Sequence, residues 1–296
     1  MSAPVVRGRG ELRSYQRIFV NKIKRLPSLI LALPMGSGKT ATILTAVLDL
    51  LNDEAVRKVL IIAPRLVASA TWPDEIEEWE HTRLLTWTLI RVEDDDPEVV
   101  AARRDAYETA CRLIGLDSKE AQSFAGKRAT AYKAWHRAKL ASSDTEVHIV
   151  NKEALPWLWE FFGQGRRWPY DMLVVDEASM FKNGQMRTGT KQITRFGVAV
   201  KARKYASRVV LATGTPTPKG LRNLWGLAKV ADGGQRLGDK KHWFETRWFT
   251  KDHMGWNLEP RPGAETQIMD RLSDIMFSLD ESDCVDLLRA SITRLK

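Results

Sequence analysis

The chain has 296 residues, 44% of them hydrophobic, which excludes a disordered or fibrous protein and is enough for a packed core. Its 46 Lys and Arg residues against 37 Asp and Glu residues give a net charge of +9, which favours polyanions such as nucleic acid, although a solvated basic surface gives the same count. Cys111 and Cys284 lack metal-ligand spacing, and no apolar run is long enough for a membrane span or signal sequence, so we expect a soluble, cytoplasmic protein.

Six short apolar runs with helical stretches between them predict an α/β fold in which helices cover both faces of a parallel sheet. The runs are residues 28–33, 58–63, 86–91, 147–150, 172–175 and 208–212. Ligands of such sheets bind at the carboxyl ends of the strands. The residues that follow each run are therefore the candidates for a functional site.

Residues 92–145 interrupt this alternation. We interpret the acidic segment 93–98 as a solvated turn, and the Ala-, Arg- and Lys-rich stretch after it predicts a helical insertion of two or three helices with a break at 114–118. After about residue 232 the chain is expected to be helical again. Several aromatic residues are expected to pack in the core: Trp72, Trp79, Trp225, Trp243, Phe244, Trp248 and Phe249.

The first strand is followed by a candidate phosphate-binding loop, PMGSGKT, at residues 34–40. Such a loop needs a strand, a glycine-rich turn, a lysine that reaches the phosphates, and a Ser or Thr hydroxyl for Mg²⁺ at the start of a helix. Leu33 holds the place of the motif's first glycine, so a chance strand-turn-helix is the alternative. The expected phosphate-binding residues are Gly36, Ser37, Gly38, Lys39 and Thr40.

A pair of adjacent carboxylates, Asp176 and Glu177, directly follows the apolar run 172–175. One carboxylate at such a place can hold Mg²⁺, and its neighbour can orient and deprotonate an attacking water. Alone, the pair could equally be an acid-rich helix N-terminus. Together with the loop it predicts a magnesium-phosphate site with Lys39, Asp176 and Glu177 as catalytic residues, and with Thr40 and Asp176 as metal ligands.

These motifs resemble the first RecA-like lobe of superfamily-two helicases, and are most similar to the Swi/Snf-type translocases, including those of bacteriophages. The resemblance covers about residues 11–288, with 92–145 outside it. It implies a three-layer RecA-like P-loop domain with a central, mostly parallel sheet over residues 1–288, and the start of a linker at 289–296. It also implies ATP and Mg²⁺ as cofactors, double-stranded DNA bound through its backbone as partner, and the host cytoplasm if the chain is phage-encoded.

The nucleotide motifs are matched segment by segment. LRSYQ is similar to the family's adenine-recognition motif, which implies that Gln16 selects ATP. ALPMGSGKT resembles the family's ADEMGLGKT, which explains the absent first glycine, but Leu33 and Pro34 replace its acidic pair. DEASMFKN resembles DEAHRIKN, with Ser179 in place of a histidine that helps to couple hydrolysis to movement.

Three further segments resemble motifs that are involved in nucleic-acid binding. Residues 63–79 and 150–155 resemble segments that contact the nucleic-acid backbone. Residues 211–227 resemble a segment that joins the nucleotide site to the nucleic-acid groove, with Lys219 where many members carry Asn. The alternatives are solvated surface residues and ordinary turn chemistry. The implied nucleic-acid contacts are Arg65, Ser69, Asn151 and Lys152, and the implied coupling residues are Thr213 and Thr215.

Two basic stretches remain open to two interpretations. The acid-free run 191–208 fits either a groove wall or a solvated helix, and the basic residues of the insertion fit either a duplex clamp or a contact with a protein partner. The family also has a second RecA-like lobe with an arginine finger, and no residues remain for it after 269–296, which we expect to be the end of the first lobe and the linker. We therefore expect that lobe in cis or in trans, and weak hydrolysis without it.

Two functions follow. One is an ATP-dependent DNA helicase or translocase lobe that hydrolyses ATP and tracks the nucleic-acid backbone. The other is a catalytically slow ATP- and DNA-binding module that recruits partners or forms half of a split motor. A small-molecule kinase is disfavoured by Gln16, the TGTP segment and the basic charge.

Overall fold

The computed structural model describes residues 6–115, 117–181, 184–186, 192–214, 220–251 and 257–279. The helices in these ranges are α1 (Ser14–Arg25), α2 (Lys39–Asn52), α3 (Trp72–Glu78), α4 (Pro97–Thr109), α5 (Ser118–Ala141), α6 (Leu155–Phe161), α7 (Arg195–Ala202), α8 (Leu224–Asp232), α9 (Lys241–Trp248) and α10 (Ala264–Leu272). The strands are β1 (Ser28–Ala32), β2 (Val59–Ala63), β3 (Trp87–Leu89), β4 (Val147–Asn151), β5 (Met172–Val175), β6 (Arg208–Thr213), β7 (Phe249–Lys251), β8 (Leu258–Pro260) and β9 (Met276–Ser278).

A seven-stranded parallel sheet in the order β3-β4-β2-β5-β6-β1-β9 forms the centre of the molecule. All six apolar runs are strands in it, which confirms the predicted fold class. Every residue of β1, β2 and β5 is buried, because helices cover both faces and these strands consist almost wholly of apolar residues.

Side chains of one strand alternate between two apolar cores, one on each face of the sheet. On β1, Leu29 and Leu31 pack with Phe19 of α1 and Ile43 of α2, whereas Ile30 belongs to the core that includes Leu224 of α8. The three layers of helix, sheet and helix follow from this alternation. No helix in the described ranges is long and apolar enough to cross a membrane.

The part of the chain after residue 232, which is expected to be helical, also contains strands. Helices α9 and α10 are present, but β7 and β8 form an antiparallel pair and β9 joins the sheet beside β1. Phe244, Trp248 and Phe249 are buried as expected, whereas the expectation is wrong for Trp243, which is 60% exposed.

Helices α4 and α5 pack against each other, and we call them the helical arm (residues 97–141). One more helical turn, Ala110–Ile114, continues from α4, and Gly115 in the left-handed conformation ends it. The Asp117 carboxylate caps α5 by accepting from the backbone N–H groups of Lys119 and Glu120, each at 2.8 Å. The segment 93–98, which we call the acidic turn, is not simply solvated, because Glu93 forms ion pairs with two arginines. The domain boundaries stay predictions, and residues 289–296 lie outside the described ranges.

Candidate active site

The loop between β1 and α2 has the backbone that a phosphate cradle requires. Gly36 and Gly38 have φ angles of 75° and 71°, a left-handed conformation that costs other residues free energy. The Ser37 hydroxyl between them is buried and has no hydrogen-bond partner among the described residues. Helix α2 begins at Lys39, so Lys39 and Thr40 form its first turn.

The Lys39 ammonium folds back over this loop. Its Nζ donates to the carbonyl oxygens of Leu33 at 2.9 Å and Pro34 at 3.0 Å. Burial lowers the pKa of Lys39, while the charges of Asp176 and Glu177 act in the opposite direction. The lysine therefore lies within electrostatic reach of both carboxylates.

Asp176 lies directly after β5, half-buried. Its Oδ2 accepts from the indole Nε1 of Trp72 at 3.1 Å, and its Oδ1 accepts from the backbone N–H of Glu177 at 3.0 Å. Burial raises the pKa of Asp176, and the indole and the Lys39 charge partly offset this. Trp72 is a packing anchor, as predicted, and it is also a hydrogen-bond partner of Asp176, which its sequence pattern did not indicate.

Glu177 has a φ of 59°, an uncommon backbone conformation for a glutamate. Its Oε1 accepts from the Ser179 hydroxyl at 2.5 Å. The serine that replaces the family's histidine thus binds the second carboxylate. The local backbone and this hydrogen bond together orient the Glu177 side chain.

Strand β6 lies between β5 and β1 and connects the two halves of the site. The Thr213 carbonyl at its end accepts from the backbone N–H of Leu33 at 3.0 Å, and Thr213 itself is buried. The predicted coupling residue Thr213 therefore contacts the phosphate loop. Thr215 and Lys219 lie outside the described residues, as do Lys182 and Asn183.

Gln16 lies beside the phosphate loop, buried. Its Nε2 donates to the Gly38 carbonyl at 3.2 Å, and its Oε1 accepts from the backbone N–H of Arg13 at 2.8 Å. It lines a cavity of about 290 Å³ that also reaches the loop residues 36–38. Sequence reasoning missed Arg7 and Glu75 in this wall and treated Trp79 only as a packing residue.

The comparisons with known proteins agree with this geometry. The model of the SNF2-related domain family matches residues 16–288. The chain belongs to the SNF2-related domain family. It has the fold of the first RecA-like lobe of the superfamily-two, Swi/Snf-like helicases, and nucleotide use is a property of that family.

The chain is 31% identical over 280 residues to a protein named p41 of Acyrthosiphon pisum secondary endosymbiont phage 1, covering 93% of this chain and 52% of that protein. It thus spans about half the length of this relative. Two structures of the Sulfolobus solfataricus SWI2/SNF2 ATPase core share its fold. The structure in complex with double-stranded DNA has a TM-score of 0.63 and 16% identity, and the match covers 92% of this chain and 46% of that one. The structure of the core domain has a TM-score of 0.57 and 14% identity, and the match covers 95% of this chain and 45% of that one.

The four residues that resemble the family's backbone contacts lie at the carboxyl edge of β2 and β4, the sheet edge that also carries the nucleotide motifs. These strands are neighbours, with Ala63 opposite Asn151. Asn151 caps the following turn, since its Oδ1 accepts from the backbone N–H of Ala154 at 2.8 Å. The exposed Arg65 forms an ion pair, and Ser69 Oγ donates to the Arg65 carbonyl at 3.0 Å. Lys152 follows Asn151, and its backbone N–H donates to the Ala63 carbonyl.

The basic run 191–208 behaves differently. Arg203 Nε donates to the Ala231 carbonyl at 2.9 Å, and Arg208 Nη1 donates to the Leu26 carbonyl at 3.2 Å. Arg208 begins β6, and so lies at the amino edge of the sheet, opposite to the nucleotide motifs. The groove-wall interpretation is therefore wrong for these two residues, which hold neighbouring backbone instead. Lys191 lies outside the described residues.

Proposed function

We propose that the chain is the ATP-binding and ATP-hydrolysing lobe of a DNA helicase or translocase. The observation that carries this proposal is that the glycine loop after β1 and the Asp176-Glu177 pair after β5 lie at the same edge of the parallel sheet, with Lys39 within electrostatic reach of both carboxylates. A cation next to two carboxylates, one of them with a pKa raised by burial, is typical of a site built for chemistry on phosphate. Membership of the SNF2-related domain family supports the same conclusion.

The residues of the loop fit the phosphates of ATP. Left-handed glycines expose backbone N–H groups, and the buried Ser37 hydroxyl needs a partner. Lys39 would neutralise the phosphate charge, and Gln16 lies where it can meet the base. Selection of ATP by Gln16 requires that its amide exchange a present backbone partner for the base.

Thr40 and Asp176 would hold Mg²⁺, which when bound neutralises charge on the phosphates. Their hydroxyl and carboxylate oxygens suit this ion. In the described ranges no three His, Cys, Asp or Glu side chains gather into a metal site, and Mg²⁺ in nucleotide sites usually takes one or two carboxylates and completes its shell with phosphate and water.

Glu177 would accept the proton of the attacking water. Its carboxylate is oriented by the Ser179 hydroxyl and by its own left-handed backbone, so little reorganisation is needed to present an oxygen to a water. Asp176 is held on both oxygens, by Trp72 and by the Glu177 backbone, and therefore serves as a fixed ligand. The two adjacent carboxylates thus have different roles set by their surroundings.

Double-stranded DNA is the proposed partner. The net charge of +9, the edge that carries Arg65 and Lys152, and the fold shared with a SWI2/SNF2 core that binds double-stranded DNA all support backbone contacts. We find no motif for reading bases among the described residues, which is consistent with binding through the DNA backbone. A second RecA-like lobe, in cis or in trans, would add the arginine finger, so hydrolysis by this chain alone is expected to be weak.

Steady-state ATP hydrolysis with duplex DNA, single-stranded DNA and RNA tests the proposal, with Lys39→Ala as the blank. Glu177→Gln should lower the turnover by about a hundredfold or more while ATP still binds. Glu160→Gln, the same change at an exposed glutamate of α6, should leave turnover unchanged. Full turnover of Glu177→Gln would contradict its role. ATP binding with blank-level turnover under every condition would instead identify a binding module.

A further inference from the structure

Glu93 in the acidic turn joins two arginines from different parts of the chain. Its Oε2 accepts from Arg65 Nη2 at 2.8 Å and its Oε1 accepts from Arg91 Nε at 2.6 Å. Its backbone N–H donates to Asp96 Oδ2 at 2.7 Å, which fixes the turn itself. The carboxylate is therefore held between two guanidinium groups.

A third arginine, from the helical arm, lies within electrostatic range of the same carboxylate without an ion pair to it. The Arg137 guanidinium of α5 lies over the ring of Trp157, 4.2 Å from its centroid, and its Nε is buried without a hydrogen-bond partner among the described residues. Burial lowers the pKa of Arg137, and the Glu93 charge counteracts this. Three guanidinium groups against the carboxylates of Glu93 and Asp96 leave this cluster with a net charge of +1.

The position of the cluster connects it to the candidate nucleic-acid residues. Strands β3, β4 and β2 are parallel neighbours, so the residues after their carboxyl ends lie along one edge. Arg91 follows β3, Asn151 ends β4 and Arg65 follows β2. The cluster therefore extends the edge of Arg65 and Asn151 toward the helical arm.

The other carboxylates of the acidic turn have different partners. Asp94 pairs with Arg103 at 3.3 Å and with Lys133 at 2.5 Å, and both of these belong to the helical arm. Asp94 thus ties the turn to the arm, whereas Glu93 ties it to the sheet edge. The two neighbouring acids serve different contacts, which gives a matched pair for experiment.

We propose that Arg65, Arg91 and Arg137 form a binding site for one phosphodiester of a nucleic-acid backbone, and that Glu93 competes with this phosphate. Guanidinium forks bind the oxygens of phosphate and of carboxylate alike, and the cluster's net charge calls for a further anion. Arg65 is the most exposed of the pair partners, with 59% of its side chain accessible against 24% for Arg91. Arg65 is therefore the guanidinium that can turn most readily from Glu93 to a phosphate. This inference rests on the proposed nucleic-acid binding.

Fluorescence anisotropy with a labelled DNA duplex, measured on the full chain from about 50 to about 200 mM salt, tests the proposal. Glu93→Gln removes the competitor and should tighten binding about fivefold. Asp94→Asn makes the same change in net charge one residue away and should tighten it by less than about twofold. Arg137→Gln should weaken binding and lower the slope of log K against log salt by about 1.

Several outcomes would overturn the proposal. Equal tightening by Glu93→Gln and Asp94→Asn would show an effect of net charge alone. Weaker binding by Glu93→Gln, with unchanged circular dichroism, would show that Glu93 positions the arginines instead of competing. Unchanged affinity in both Glu93→Gln and Arg137→Gln would reject this site while leaving nucleic-acid binding intact. If the unaltered chain binds no nucleic acid even at low salt, the proposed function fails as well.

Discussion

Trp72→Phe tests how much the hydrogen bond between this indole and Asp176 contributes to stability. The ring is fully buried and its Nε1 lies 3.1 Å from Asp176 Oδ2. A phenyl ring keeps most of the apolar contact but removes the donor. A hydrogen bond to a charged group contributes about 1.5–3 kcal/mol, and the smaller ring adds about 1 kcal/mol through the cavity that it leaves. We expect the free energy of unfolding to fall by about 2.5–4 kcal/mol.

Urea unfolding followed by circular dichroism near neutral pH measures this loss, in the unaltered chain and in an Asp176→Asn background. The cavity left by Trp72→Phe is the same in both, but the acceptor is neutral in the second, so the loss should be smaller there by about 1 kcal/mol. Equal losses in the two backgrounds would refute the hydrogen-bond reasoning and leave only packing. ATP turnover of Trp72→Phe, measured in the otherwise unaltered chain, would show whether the indole positions the carboxylate.

Two further changes probe the loop and the sheet. Gly38→Ala should lower the free energy of unfolding by about 1–2 kcal/mol and weaken ATP binding, because φ is 71° there and the new Cβ would lie 2.4 Å from Gln16 Nε2. Denaturant unfolding measures the first effect and nucleotide titration the second. Unchanged stability would contradict the argument that alanine is strained at this position. Burial, with the Lys58 charge, lowers the pKa of His148 to about 4. As pH falls from about 6.5 to about 4, His148 is therefore protonated in the unfolded chain but still neutral in the folded chain. Stability should therefore fall by up to about 3 kcal/mol between these pH values, and His148→Gln should lack this loss in a pH series of unfolding curves.

The strands of the sheet could be predicted because their sequences are unusually clear. Runs such as SLILA and VLIIA are apolar throughout, which occurs where both faces of a strand are covered. Strand β9 could not be found in this way, since MFS is short and only half-buried, and pairing with β1 is what makes it a strand. The order of the strands is likewise a tertiary property, set by which helices cross over which face.

Some residues of the candidate site could likewise be predicted from local sequence, whereas others are placed only by the fold. The phosphate loop and the Asp176-Glu177 pair have local sequence patterns, so their residues could be named in advance. Trp72 has no such pattern, because its link to Asp176 spans 104 positions and exists only when the fold brings the first residue of α3 to the end of β5. The acidic turn was misinterpreted for a related reason: a cluster of acids in a sequence shows their charge, but not the arginines that the fold brings to them.

Two of the three N–H groups of the Lys39 ammonium donate to carbonyl oxygens of its own loop. The third N–H can reach a phosphate oxygen directly, and any second contact with phosphate would displace the carbonyl of Leu33 or of Pro34, both of which belong to the loop between β1 and α2. The ammonium therefore ties Leu33 and Pro34 to the start of α2 for as long as both hydrogen bonds are present. Because the backbone N–H of Leu33 also donates to the Thr213 carbonyl at the end of β6, a shift of Leu33 on phosphate binding would act on that strand through this hydrogen bond.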